Sequence, residues 1–162
     1  MKKTVRFTLL ISLLISGAIL LSAWPVAQGR MTGGGFIFLG SMKITHGFEL
    51  HCDASHGPNN LEVNWGGGNH FHLDTLTAAS CYDTGVPPNP PNAPFDTYFG
   101  AGTGTYNGAA GAFANWGFSD HGEPGTNDQV LYLIISDASG NIVLSAGPAN
   151  LSGGNHQAHA EN

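Results

Sequence analysis

"LEVNWGGGNHFHL", residues 61–73, decides how the rest of the chain is read. Apolar Leu61, Val63 and Trp65 alternate with polar Glu62 and Asn64, and beyond the glycines Phe71 and Leu73 alternate with His70 and His72. Alternation with period two marks a half-buried strand, and two such runs around a glycine turn mark a hairpin. Residues facing each other across an antiparallel pair point to the same side of the sheet. A turn confined to 66–68 sets Val63 opposite Phe71 and Leu61 opposite Leu73, so the apolar side chains share one face. One more residue in the loop would set Trp65 beside His70 and Val63 beside His72, a mixing that a buried face does not tolerate. The tight turn is expected, with Glu62 opposite His72 and Asn64 opposite His70 on the outer face.

The same parity extends upstream into "HGFELHC" (46–52). Phe48, Leu50 and Cys52 fall on the apolar side, and His46 joins them as a partly buried, structural residue. Glu49 and His51 point outward. Pairing Cys52 with Leu61 predicts two outer rows, His51–Glu62–His72 and Glu49–Asn64–His70. These rows carry two readings. One is the solvated face that antiparallel sheets ordinarily present. The other is a transition-metal site for Zn, Cu or Fe built from His51, Glu62, His70 and His72, since imidazole and carboxylate ligands suit those ions. Glu62 between imidazoles also suits proton transfer. A carboxylate pair of Glu49 with Glu62 would suit glycosidic hydrolysis, although nothing in the sequence marks a cleft.

Working outward, further short strands are expected at 35–40, 43–52, 95–106, 110–120, 129–137 and 141–147, with almost nothing helical. "DASGN" (137–141) reads as a hairpin turn ending in a glycine bulge. "GVPPNPPNAP" (85–94) reads as a stiff connector carrying the chain from one sheet to another. About eight strands with regular turn signals predict an all-β, antiparallel β-sandwich or jelly-roll-like domain. Trp65 and Trp116 are expected in its core.

Residues 1–29 read as a secretory signal peptide: Lys2, Lys3 and Arg6 precede an uncharged apolar run, and small residues follow at 27–29. A retained anchor is the other reading of that run. Residues 30–162 then form a single domain with a polar tail. Of the five basic residues only Arg30 and Lys43 lie beyond the leader, against all eleven acidic ones. Such a surface repels phosphate backbones and anionic headgroups, which excludes nucleic acid and leaves an unidentified extracellular ligand or protein as partner. No second apolar run is long enough to span a membrane. Cys52 and Cys81 are an even pair in an exported chain, so a disulfide is expected.

"SDHGEPGTND" (119–128) gathers Asp120, Glu123 and Asp128 around a turn, a candidate calcium loop without the spacing of an EF-hand, or else an acidic loop capping its own backbone. His156 and His159 in "GGNHQAH" (153–159) belong either to a frayed tail or to one that docks on the histidine face. "GAGTG" (100–104) precedes no helix and is no phosphate loop. No serine or cysteine nucleophile with a credible base is present.

Taken together, "MTGGGFIF", "THGFELHC", "PNNLEVNWGGGNHFHL", "PFDTYFGAGTGTYNG", "DHGEPGTND" and "GGNHQAH" resemble the post-COAP type of secreted bacterial domain, from about Met31 to His159. Members of that family occur as small exported proteins or as modules at the ends of larger extracellular ones. The resemblance implies export and an all-β fold and brings no catalytic residues with it. The function expected is therefore a non-catalytic bacterial module for extracellular binding, attachment or assembly. The alternatives are a protein binding Zn, Cu or Ca and a small metal- or carboxylate-dependent hydrolase.

Overall fold

A computed structural model, which describes residues 28–85 and 93–161, is all-β. Its strands are β1 (Arg30–Leu39), β2 (Met42–His51), β3 (Asn60–Trp65), β4 (Asn69–Tyr82), β5 (Thr97–Tyr106), β6 (Ala109–Ser119), β7 (Gln129–Ser136), β8 (Ile142–Ala146), β9 (Ala149–Asn150) and β10 (Gly153–His159). Residues 1–27 of the expected leader at 1–29 and residues 86–92 of the proline-rich connector lie outside the described residues. No helix among the described residues is long and apolar enough to cross a membrane.

The opening hairpin forms as its alternation demands. Val63 pairs with Phe71, Asn64 with His70 and Glu62 with His72, around a short 3-10 turn at Gly66–Gly68. Leu61, Val63, Trp65, Phe71 and Leu73 are all buried. Gly67 and Gly68 adopt φ of 80° and 76°, where a side chain would be strained.

Beyond this hairpin every neighbouring pair is antiparallel, and the strands make one sheet in the order β10-β1-β2-β3-β4-β5-β6-β7-β8, with β9 also on β7. The architecture expected is present, with ten strands instead of about eight. The connector is a correction: β4 and β5 pair directly, Tyr82 with Thr97, so the chain returns to the same sheet and does not cross to another. Register shifts at Asp74 and Thr77 in β4, Gly111 in β6, Leu131 in β7 and Val143 in β8 insert unpaired residues. Such bulges bend and twist a sheet. The sheet curls until β2 faces β5 and β6 across the core. Phe48 of β2 stacks on Phe118 of β6 with ring centroids 4.6 Å apart, and Tyr98 of β5 donates its hydroxyl to the His51 carbonyl at 3.0 Å.

Trp116 sits at the centre of this core, fully buried. It fits because β5 turns glycines inward: a Cβ at Gly100 would lie 2.6 Å from the Trp116 ring. Gly102 and Gly104 give Leu73 and Phe71 the same room. The predicted turn at Asp137–Asn141 closes with Gly140 at φ 83° and its N–H donating to the Asp137 carbonyl. Cys52 and Cys81 form the expected disulfide, tying the loop after β2 to the end of β4.

Candidate functional site

The two outer rows predicted around the histidines form only in part. β2 meets β3 with Phe48, not Cys52, opposite Leu61. Gly47 therefore stands beside Glu62, Thr45 beside Asn64, and Glu49 beside Asn60. The slip is an even number of residues, so Phe48, Leu50, Leu61 and Val63 stay inside as expected while the neighbours on the outer face change. The outward placement of His51 does not hold. Glu49 turns to Arg30 at 3.7 Å. His51 leaves the row altogether. It is buried where Asn59 accepts its backbone N–H, and Glu161 lies 3.3 Å from its Nε2.

Of the proposed ligand set, only Glu62 and His72 meet, the imidazole Nδ1 hydrogen-bonding the carboxylate while Nε2 lies 3.8 Å from Asp74. His70 is half-buried on the neighbouring row. Among the described residues no three His, Cys, Asp or Glu side chains are grouped as a bound metal requires. Glu49 and Glu62 are each engaged elsewhere and do not face one another.

The acidic loop is committed as well. Asp120 and Asp128 are buried, and their carboxylates accept backbone N–H groups, Asp120 from Gly122 and Ala158, Asp128 from His121 and His156, at 2.7–2.8 Å. Burial pushes the Asp128 carboxyl up to about 6, against the pull of its two N–H donors. Glu123 remains exposed and accepts from the Asn155 and Gln157 amides. The three acids bind β10, whose outer N–H groups have no strand to pair with. Backbone donors taken from the same chain occupy the oxygens a calcium ion would need.

The tail that supplies β10 docks, but inside and not on the outer face. His156 is fully buried, and its Nε2 lies 2.8 Å from His46 Nε2 between Phe48 and Phe118. Its Nδ1 is 3.0 Å from the Ser119 carbonyl, which only accepts, so that nitrogen carries the proton. His156 Nε2 is then the acceptor and His46 Nε2 the donor. His46 Nδ1 is left bare and has no partner. Burial, with the neighbouring His156 adding to it, lowers His46 to about 3, and burial lowers His156 to about 4.

One surface differs from all of these. From Thr97 to Ser119, from Gln129 to Ser136 and from Ile142 to Ala146 the chain has no charged residue. The outer face of β5–β7 consequently shows no charge, and with the Ala78–Ser80 stretch of β4 it forms a shallow groove of about 230 Å3, lined by Ala78, Ser80, Phe99, Ala101, Asn115 and Tyr132 among others. Phe99 and Tyr132 lean over Gly117 on the intervening strand, their rings 12° from parallel and 5.9 Å apart. A Cβ on Gly117 would strike both rings at 2.8–2.9 Å. Tyr82, which is 53 % exposed, extends the ladder 5.9 Å beyond Phe99. The chain has four tyrosines. The hydroxyls of Tyr98 and Tyr106 are hydrogen-bonded within the fold. Those of Tyr82 and Tyr132, like the side chains of Ser80 and Asn115, have no hydrogen-bond partner among the described residues.

Sequence reasoning passed over this groove because it followed titratable groups. The signal available was the opposite one, a run without charge in which Phe99 sits at outward parity to Tyr98. Comparison with known protein families, with curated proteins and with solved structures finds no match to this chain.

Proposed function

We propose that this chain is an exported, non-catalytic β-module that binds an extracellular partner through the uncharged groove that crosses β4–β7. The observation that carries the reading is the pairing of an aromatic ladder with polar side chains uncommitted to the fold. Binding surfaces are enriched in Tyr and Phe and poor in charge at their centres, and a few well-placed polar groups fix orientation. Export is supported by the leader pattern and by a disulfide, a bond at home in oxidising compartments.

The test is co-sedimentation of the full chain, disulfide intact, with bacterial cell envelopes. The wild type is expected in the pellet. The Phe99→Ala/Tyr132→Ala double variant is expected in the supernatant, with an unchanged circular dichroism spectrum. Equal pelleting of the two proteins, or none of either, would remove the support for this surface.

A further inference from the structure

We infer that the ligand of this groove is a neutral glycan, bound as a run of linked sugar rings lying along the Tyr82–Phe99–Tyr132 ladder. The inference rests on the binding-module reading and names its substrate class. Two properties of the groove must be met by one ligand. Its floor is aromatic and small, and an aromatic face is electronegative, favouring contact with the weakly positive C–H groups of a flat apolar surface. Its rim carries the Ser80 hydroxyl, the Asn115 amide and the Tyr82 and Tyr132 hydroxyls, all of which lack partners among the described residues. An apolar protein anchor seated on the floor would strip water from those rim groups and return nothing, which is costly. A sugar ring presents C–H groups on its face and hydroxyls around its edge, so it satisfies floor and rim together.

Charge narrows the class further. All eleven acidic residues lie beyond the leader with only Arg30 and Lys43 to oppose them, so an anionic polysaccharide is repelled. The groove itself offers no cation to hold a uronate or sulfate. Three aromatic rings at successive spacings of 5.9 Å provide for more than one sugar. Oligosaccharides are accordingly favoured over monosaccharides.

The experiment has two arms. In the first, the intact chain is run through native gels containing a neutral β-glucan, α-glucan or galactomannan, or the anionic polymer alginate. Retardation is expected in at least one neutral gel and not in alginate. Against the retarding polymer, Tyr132→Ala and Phe99→Ala should each weaken binding by at least about tenfold. Asn115→Ala removes no hydrogen bond within the fold, so a weakening on that substitution reports the ligand and not stability. Phe113→Ala, on the outer face but outside the groove lining, should bind as the wild type does. Wild-type binding by Asn115→Ala and Tyr132→Ala would overturn the inference.

In the second arm, envelopes are treated with protease or with periodate, which cleaves the vicinal diols of sugars. Pelleting that survives protease and is lost after periodate supports a glycan. Pelleting lost to protease and kept after periodate overturns the glycan and leaves the binding module standing. No pelleting on untreated envelopes overturns both.

Discussion

His46 and His156 illustrate how one residue's surroundings set its chemistry. Both imidazoles are neutral in the folded protein because charging either would place a cation out of reach of water. Unfolded, each binds a proton near its ordinary 6.5; folded, only near about 3 and about 4. Their contribution to stability is therefore complete above pH 6.5 and declines as pH falls toward 4, by up to several kcal/mol at about 1.4 kcal/mol per pKa unit. Asp128 acts with the opposite sign. Its folded value of about 6 lies above the ordinary 3.8, so protonation between those values favours the fold and offsets part of the loss. The melting temperature is expected to fall on titration from pH 7 to pH 4, and His46→Phe should flatten that slope. Equal slopes for the two proteins would show that the pair is not responsible. The parity of "HGFEL" placed His46 inside correctly, whereas nothing in the polar run "GGNHQAH" announced that His156 would meet it.

Among the elements, β5 and β10 show where sequence pattern misleads. β5 buries Gly100, Gly102 and Gly104. A reader of hydrophobic alternation sees no inward side chains there, because the volume comes from Trp116, Leu73 and Phe71 reaching over. Gly100→Val is expected to destabilise by about 1–3 kcal/mol or more through overpacking against Trp116, read as a lowered denaturant midpoint. β10 is polar and glycine-rich yet a strand, since β1 meets it with Gly33, Gly34 and Gly35. A Cβ at Gly33 or Gly35 would lie 2.4 Å from a β10 carbonyl oxygen. Its other side is held by Asp120 and Asp128. Asp120→Ala would orphan the buried Ala158 N–H at a cost of about 1–3 kcal/mol, and amide exchange at Ala158 should accelerate while that at Leu133 does not. The β2–β3 register was illegible for a related reason. Period-two alternation fixes the face of a strand, but any even slip satisfies it equally. Cys52 lies beyond the β2–β3 ladder, which ends at Glu49 opposite Asn60, and its N–H donates to the Gly29 carbonyl on the β1 side at 2.8 Å.

At the scale of the whole molecule, the sequence announced fold class, strand positions, disulfide and core tryptophans, because these follow from local alternation, turns and cysteine count. It could not announce the curl of one continuous sheet, which depends on bulges at positions such as Asp74 and Leu131 that no pattern marks. The groove was hidden likewise, since it assembles residues from four strands. The disulfide closes a loop of 29 residues, and its reduction should destabilise the chain by about 3–4 kcal/mol on the chain-entropy account. Thermal unfolding with and without reductant measures this directly.

The two borders of the sheet are not alike. Carboxylates seal β10, while β8 ends the order with its far side unpaired among the described residues, Ile142 67 % exposed and no charge or proline from Ile142 to Ala146. A strand border of that kind can recruit a second strand. Filament growth requires two adhesive borders on every subunit, and the described residues offer one. Crowded solutions should therefore yield pairs joined head to head and no longer polymers, with sedimentation reaching a ceiling at twice the mass of one chain.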